Sequence, residues 1–234
     1  MKPIKFFIAL ILLPFLWGSL VALKEIILLT AENQVPSQPL LFFLSGFVLW
    51  ILCYLTLPRP NTLYVLQHEA THAVAIWLSG GKLREFHVGS EGGHVVSDKT
   101  SAWISLAPYL VPLYPVIAGL SWAIALWISP KLEAWTHFFL FFWGIIWSFH
   151  FCFTISLLKT EQTDFSSQGY LFSWTLIALV NTNILTIVLW AWLRLVPLWK
   201  IVDSIVSESW NVFAFLLHKL LIVFDAFNNL GYAL

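Results

Sequence analysis

The sequence predicts an all-α membrane protein, a polytopic helical bundle of about six transmembrane segments with a small β-hairpin insert and a C-terminal amphipathic helix. Three observations predict it. Of 234 residues, 59% are hydrophobic, 17% aromatic and only 10% charged, a balance unlike that of soluble domains. The apolar residues cluster in runs close to the roughly 20 residues a helix needs to cross a bilayer. Between two of those runs lies one polar, glycine-rich stretch, 80–97, that reads as a hairpin.

On that ruler the apolar segments fall at 5–23, 39–57, 63–79, 103–129, 134–158 and 171–198. The first follows Met1-Lys2-Pro3-Ile4-Lys5, as a signal peptide's core would. Its apolar run is long and no small-x-small site follows, so it reads as a span. Residues 24–38, with Lys24, Glu25, Glu32 and Pro36, read as a polar connection. Pro58-Arg59-Pro60 closes the second segment, and Asn61 or Thr62 is placed to cap the third. That helix is expected to stop at Ser79-Gly80-Gly81, because glycine tolerates the left-handed turn that ends helices.

Leu83–Val88 and His94–Val96 then read as two short strands around Glu91-Gly92-Gly93, whose edge could receive an extended peptide. Pro108, Pro112 and Pro115 interrupt the fourth segment, so its first half cannot be an ordinary helix, and each freed carbonyl must be satisfied by protein or by a water-filled cavity. From Lys200 onward, Ile201, Ile205, Phe213, Leu216, Leu217, Leu220, Leu221 and Phe224 recur at helical spacing opposite Asp203, Ser207, Glu208 and Asn211, the pattern of an interfacial amphipathic helix over 199–234. The domain reading is a membrane domain over 1–198, with its core at 60–185, followed by that helix.

Twelve basic and twelve acidic residues cancel, and no basic stripe is interleaved with aromatics, which leaves nucleic-acid binding without electrostatic support. Cys53 and Cys152 lie in apolar runs without Cys-x-x-Cys spacing and indicate neither a disulfide framework nor a thiolate metal site. Trp50, Trp103, Trp122, Trp127 and Trp199 fall near segment ends, where membrane interfaces enrich aromatics. Basic residues divide almost evenly between the two faces, so charge does not orient the chain.

The run His68-Glu69-Ala70-Thr71-His72 carries the chemistry. On a helix, positions four apart share a face, so His68 and His72 can bind one Zn2+ while Glu69 stands beside the ion's open position. Zinc there supplies a Lewis acid, and Glu69 is expected to act as general base, moving the proton of an attacking water to the leaving amine. Ionisable groups in an apolar segment are costly and default to a functional reading. The bland alternative is a pair of core histidines bonded to neighbouring helices.

Catalytic zinc takes a third protein ligand. The candidates are Asp164, His150, His94 and His137. His137 lies near the start of its segment and His94 in the hairpin, whereas His150 lies about 12 Å from its helix end at 1.5 Å per residue, near the depth of the motif. Asn181 and Asn183, inside the sixth segment, either bond a substrate or tie helices together.

The motif with Gly80-Gly81, Gly92-Gly93-His94-Val95, Leu106-Ala107-Pro108-Tyr109 with Pro112 and Tyr114, His150 to Thr154, and Gln162-Thr163-Asp164 with Gly169 resembles the site-2 protease class of intramembrane zinc metallopeptidases, in its compact bacterial branch. The resemblance covers roughly residues 60–185, and the His-Glu-x-x-His part is its diagnostic portion. It implies a distant aspartate as third ligand, hence Asp164, with His150 the alternative. The family's Leu-Asp-Gly setting is absent here. It also implies a multi-pass protein of the bacterial cell (inner) membrane that hydrolyses a peptide bond of a membrane protein or peptide substrate.

Two other functions fit the same residues: a non-proteolytic scaffold or complex subunit with a structural or vestigial metal site, and a transporter using the motif as a relay. Transporters often carry internal repeats, and none is evident. If segments three to five each cross fully, the start of the motif helix and the loop with Asp164 emerge on opposite faces. Asp164 must then dip inward, or the proline-broken segment must turn back.

Overall fold

The computed structural model describes residues 2–32, 38–158, 163–193 and 195–231. Pro36 and Gln162, singled out above, lie outside them. The described chain forms two units, one from the two ends of the sequence and one from 36–168.

In the first unit, α1 (Lys2–Glu32) packs on α8 (Tyr170–Leu193) and α9 (Leu198–Gly231). Ala22 and Ile26 of α1 bury against Ile201 of α9, with Leu189 and Leu193 of α8 at the margin. That packing corrects the expected connection at 24–38. Helix α1 continues through Lys24 and Glu25 because Ile26 is a core residue and the Glu25 carboxylate accepts from the Ser204 hydroxyl at 2.8 Å. In α8 the Asn183 amide donates to Ser19 Oγ of α1 at 2.9 Å and to its own helix at Leu179 O, the helix-tying role.

The second unit holds α2 (Gln38–Thr56), α3 (Asn61–Leu78), β1 (Leu83–Val88), β2 (Gly93–Ser97), α4 (Ala102–Leu110), α5 (Leu113–Ile128), a 3-10 turn over Pro130–Trp135, α6 (Thr136–Leu158) and α7 (Thr163–Gln168). Helices α2 and α6 touch backbone to backbone. A Cβ on Gly46 would strike the Phe141 carbonyl, and one on Gly144 would strike that of Phe43. Small residues allow such close approach between helices where the surroundings are apolar.

Helix α3 begins after Pro60 with no side-chain cap, so neither Asn61 nor Thr62 plays the capping role expected of it. It ends at Leu78, and Gly80 takes the left-handed turn at φ 67°. The two strands pair antiparallel with His87 opposite His94 and Phe86 opposite Val95. The hairpin base is closed by Asp98, whose Oδ1 accepts from the Lys82 amide at 2.7 Å; that bond holds the Asp98 carboxyl below the usual range. Ala75 and Ile76 of α3, Ile104 and Ala107 of α4, and Leu83 and Val95 of the strands form one core. The hairpin is thereby fixed to the motif helix.

The fourth expected segment is two helices, α4 and α5, bent by 67° at Val111-Pro112. Among the described residues five helices are long and apolar enough to cross a membrane, in α1, α2, α6, α8 and α9, or six if the bent pair counts as one. The motif segment 63–79 is not among them, because Gln67, His68, Glu69, Thr71 and His72 lower the hydropathy of α3. The tail helix, expected at the interface, is long and apolar enough to cross a membrane over Leu198–Asp225. Trp103, Trp127 and Trp199 are exposed near helix ends, whereas Trp50 packs on Phe149 and Trp122 stacks on Phe139, so those two belong to packing between helices.

Candidate metal centre

Helix α3 turns one face inward at the spacing of its own pitch: Tyr64, Gln67 and His68, then Thr71, then Ala75 and Ile76 are all buried. His72 joins His68 on that face, their rings 4.9 Å apart. Asp164, in the first turn of the short helix α7, comes to the same place. Its Oδ2 stands 3.5 Å from His68 Nε2 and 3.6 Å from His72 Nε2. The potential ligand atoms of the three residues lie within 4.8 Å of one another, the one such group among the described residues.

Each imidazole is held from behind. His72 Nδ1 lies 2.7 Å from the Ile104 carbonyl oxygen, which can only accept, so Nδ1 carries the proton and Nε2 is left as a donor atom for an ion. His68 Nδ1 lies 3.3 Å from the hydroxyl of Tyr64, one turn earlier on the same helix. Such partners orient metal-binding histidines and fix their tautomers. Asp164 is held by the Tyr109 hydroxyl, which donates to Oδ2 at 3.1 Å. Burial works to raise the Asp164 carboxyl, and the facing His68 and His72 rings outweigh it, holding the carboxyl well below the usual range.

Two imidazole nitrogens and a carboxylate oxygen, converging with their lone pairs inward, repel one another unless a cation or a proton sits between them. That donor set is the one zinc takes from proteins in hydrolytic sites. The residues present therefore fit zinc.

Glu69, also buried, leaves the helix beside this cluster. Strand β2 passes so close that a Cβ on Gly93 would lie 2.7 Å from Glu69 Cγ. A cavity opens on each side of that contact. One, of about 380 Å³, is lined by Tyr54, Arg59, Asn61, Tyr64, Glu91 and Phe153. The other, of about 460 Å³, is lined by His94, Ser97, Lys99, Thr100, Ser105 and Asp164. His68, Glu69 and Gly93 belong to the walls of both.

The remaining candidates are placed elsewhere. His150 is buried in α6 with Nδ1 2.9 Å from the Gln67 amide and does not join the donor cluster. His94 faces Glu85 at 3.0 Å on the exposed side of the hairpin, and His137 packs beside Phe42. Asn181 bonds Ile177 O within α8, and both asparagines belong to the first unit, not to the one holding this centre. Asp164 reaches the motif helix on α7, and the proline-broken segment bends by 67° at Val111-Pro112. Sequence reasoning assigned no role to Tyr64, Tyr109 or the Ile104 carbonyl. Tyr64 had a signal, its position four residues before His68, whereas nothing in the spacing marks Tyr109.

Comparison with protein-family models, with curated proteins and with solved structures finds no match for this chain.

Proposed function

We infer that the chain is a multi-pass membrane zinc endopeptidase that hydrolyses a peptide bond in a membrane-protein segment, as the resemblance to site-2 proteases implies. The observation that carries the reading is the convergence of His68 Nε2, His72 Nε2 and Asp164 Oδ2 beside Glu69. Five helices of spanning length and apolarity support residence in a bilayer. Zinc, when bound, supplies a Lewis acid that polarises a carbonyl and acidifies water near neutral pH.

The rest of the chemistry falls to side chains of this chain. His68, His72 and Asp164 hold the ion, with Tyr64, the Ile104 carbonyl and Tyr109 keeping each aimed. Glu69 takes a proton from the attacking water as the new carbon–oxygen bond forms, and gives it to the nitrogen as the carbon–nitrogen bond breaks. Cavities on both sides of Glu69 suit an internal stretch of chain better than a chain end, which favours an endopeptidase. Gly93, against Glu69, stands in the walls of both, and the rest of strand β2 lines the second, where it can align an extended segment beside the site.

The test is metal content and cleavage measured together. Purified chain in detergent is expected to hold one zinc per molecule and to cut a transmembrane test substrate. Absence of zinc at stoichiometric level, or undiminished cleavage by Glu69→Gln, would overturn the proposal.

A further inference from the structure

Helix α4 contains a proline, Pro108, in its last turn. Proline has no amide hydrogen, so the carbonyl four residues earlier loses the donor that a helix would give it. Here that carbonyl belongs to Ile104, and it is the one that His72 Nδ1 meets at 2.7 Å. Ile104 and Pro108 are both buried, and the donor that meets the freed oxygen is the His72 imidazole. A buried carbonyl without a partner is costly. The helix defect and the imidazole thus satisfy one another.

We propose that Pro108 is a positioning residue for the metal centre: by withholding the amide that would occupy the Ile104 carbonyl, it reserves that oxygen for His72 Nδ1–H and so keeps Nε2 turned toward Asp164. The two histidines are oriented by different devices. Tyr64, on the same helix as His68, moves with it, whereas the Ile104 carbonyl ties His72 to the neighbouring helix. The orientation of His72 therefore depends on how α4 sits against α3, and those helices are joined through Ile76, Ile104 and Ala107.

The proposal rests on the metal-centre reading for its consequence, but its hydrogen bond exists with or without an ion, and the experiment separates the two. The full chain, labelled with ¹⁵N-histidine in detergent and without a histidine tag, has seven imidazoles to assign. In the metal-free protein the His72 Nδ1 proton is expected far downfield and slow to exchange. Pro108→Ala returns a competing amide to Ile104, and the resonance is expected to move upfield and exchange faster. Replacing residue 108 by lactic acid gives a side chain of the same size as alanine on an ester bond, again without an N–H, and is expected to restore the signal.

In parallel, zinc affinity measured by chelator competition is expected to fall about tenfold in Pro108→Ala, the low end of the range for loss of a partner behind a ligand, and to recover in the ester. An unprotonated His72 Nδ1 in the unaltered chain would overturn the proposal, as would a Pro108→Ala protein with unchanged resonance and unchanged affinity, or an ester that behaves as alanine does. If the chain binds no zinc while the resonance follows the amide, the positioning bond stands and the metalloenzyme reading falls.

Discussion

Tyr109 and Asp164, 55 residues apart in the chain, meet at one oxygen: the phenol donates to Oδ2 at 3.1 Å, and the same atom faces His68 Nε2 at 3.5 Å and His72 Nε2 at 3.6 Å. A carboxylate brought in by a six-residue helix has few other restraints. Tyr109, fully buried in α4 with its ring tilted against that of Phe165, gives Asp164 a fixed angle of approach. Tyr109→Phe keeps the ring and removes the donor. The expected result is a folded protein with zinc affinity lowered about tenfold, read by chelator competition; unchanged affinity would assign the hydroxyl to packing alone.

Removal of a donor atom should act more severely than removal of its support. His68→Ala, His72→Ala and Asp164→Ala are each expected to leave the purified chain without stoichiometric zinc, while His150→Ala retains it. His150 is engaged with Gln67, and its loss leaves the three donors in place. Elemental analysis after gel filtration decides between them. Zinc kept by Asp164→Ala and lost from His150→Ala would reverse the assignment of the third ligand.

How much of this was legible in the sequence follows from the range of the forces involved. The helix carrying His68 and His72, its stop at Gly80 and the hairpin were readable because pitch, turn chemistry and strand pattern are local. The break at Val111-Pro112 was readable from proline, but its 67° angle was not, since that depends on what α4 and α5 pack against. The expected count of about six segments meets five or six helices of spanning length and apolarity, but two elements differ in whether they qualify. Helix α3 carries more polar groups than a spanning helix of that length admits, and they have partners inside the protein: His68 and His72 face Asp164, Gln67 meets His150, and Thr71 bonds back to the Gln67 carbonyl. Helix α9 is apolar enough to pass, although its charged residues suggested a surface. Tyr109 was invisible as a participant because only the fold brings it to Asp164.

Glu69 is expected to matter for chemistry and not for holding the ion. Glu69→Gln keeps shape and volume but removes the proton acceptor. The variant should bind zinc as the unaltered chain does and lose cleavage by about 10²–10⁴-fold, the usual contribution of a positioned acid or base. Measuring both on one preparation matters, because zinc lost with activity would instead make Glu69 part of the ion's support.

The contact between α2 and α6 makes a stability prediction independent of the site. At Gly144 an added methyl meets the Phe43 backbone carbonyl, which cannot rotate aside. At Gly119, on the α5 face that meets α6, the same methyl would lie 3.5 Å from the Trp143 ring, an ordinary contact. Gly144→Ala is therefore expected to cost about 1–3 kcal/mol, as overpacking does, and Gly119→Ala little. Unfolding in mixed micelles with increasing denaturing detergent compares the two, and equal sensitivity would show that the helices can separate slightly without loss.

Gly93 brings the hairpin against Glu69, the proposed general base. An alanine Cβ there would lie 2.7 Å from Glu69 Cγ, 2.8 Å from Val65 Cγ1 and 2.6 Å from the His87 carbonyl oxygen. The carbonyl belongs to the paired strand and Val65 to the packed face of α3, so the most mobile of the three is the Glu69 side chain. Gly93→Ala should displace that carboxylate from where the attacking water must lie. A misplacement of about 1 Å can cost on the order of 10²-fold in rate. Zinc content should stay at the level of the unaltered chain, because the three atoms nearest the added methyl belong to His87, Glu69 and Val65 and to none of His68, His72 or Asp164. The expected signature is a fall in kcat with zinc retained. Full activity in Gly93→Ala would mean that the strand can move away from α3, and with it that the contact between Gly93 and Glu69 sets nothing in the chemistry.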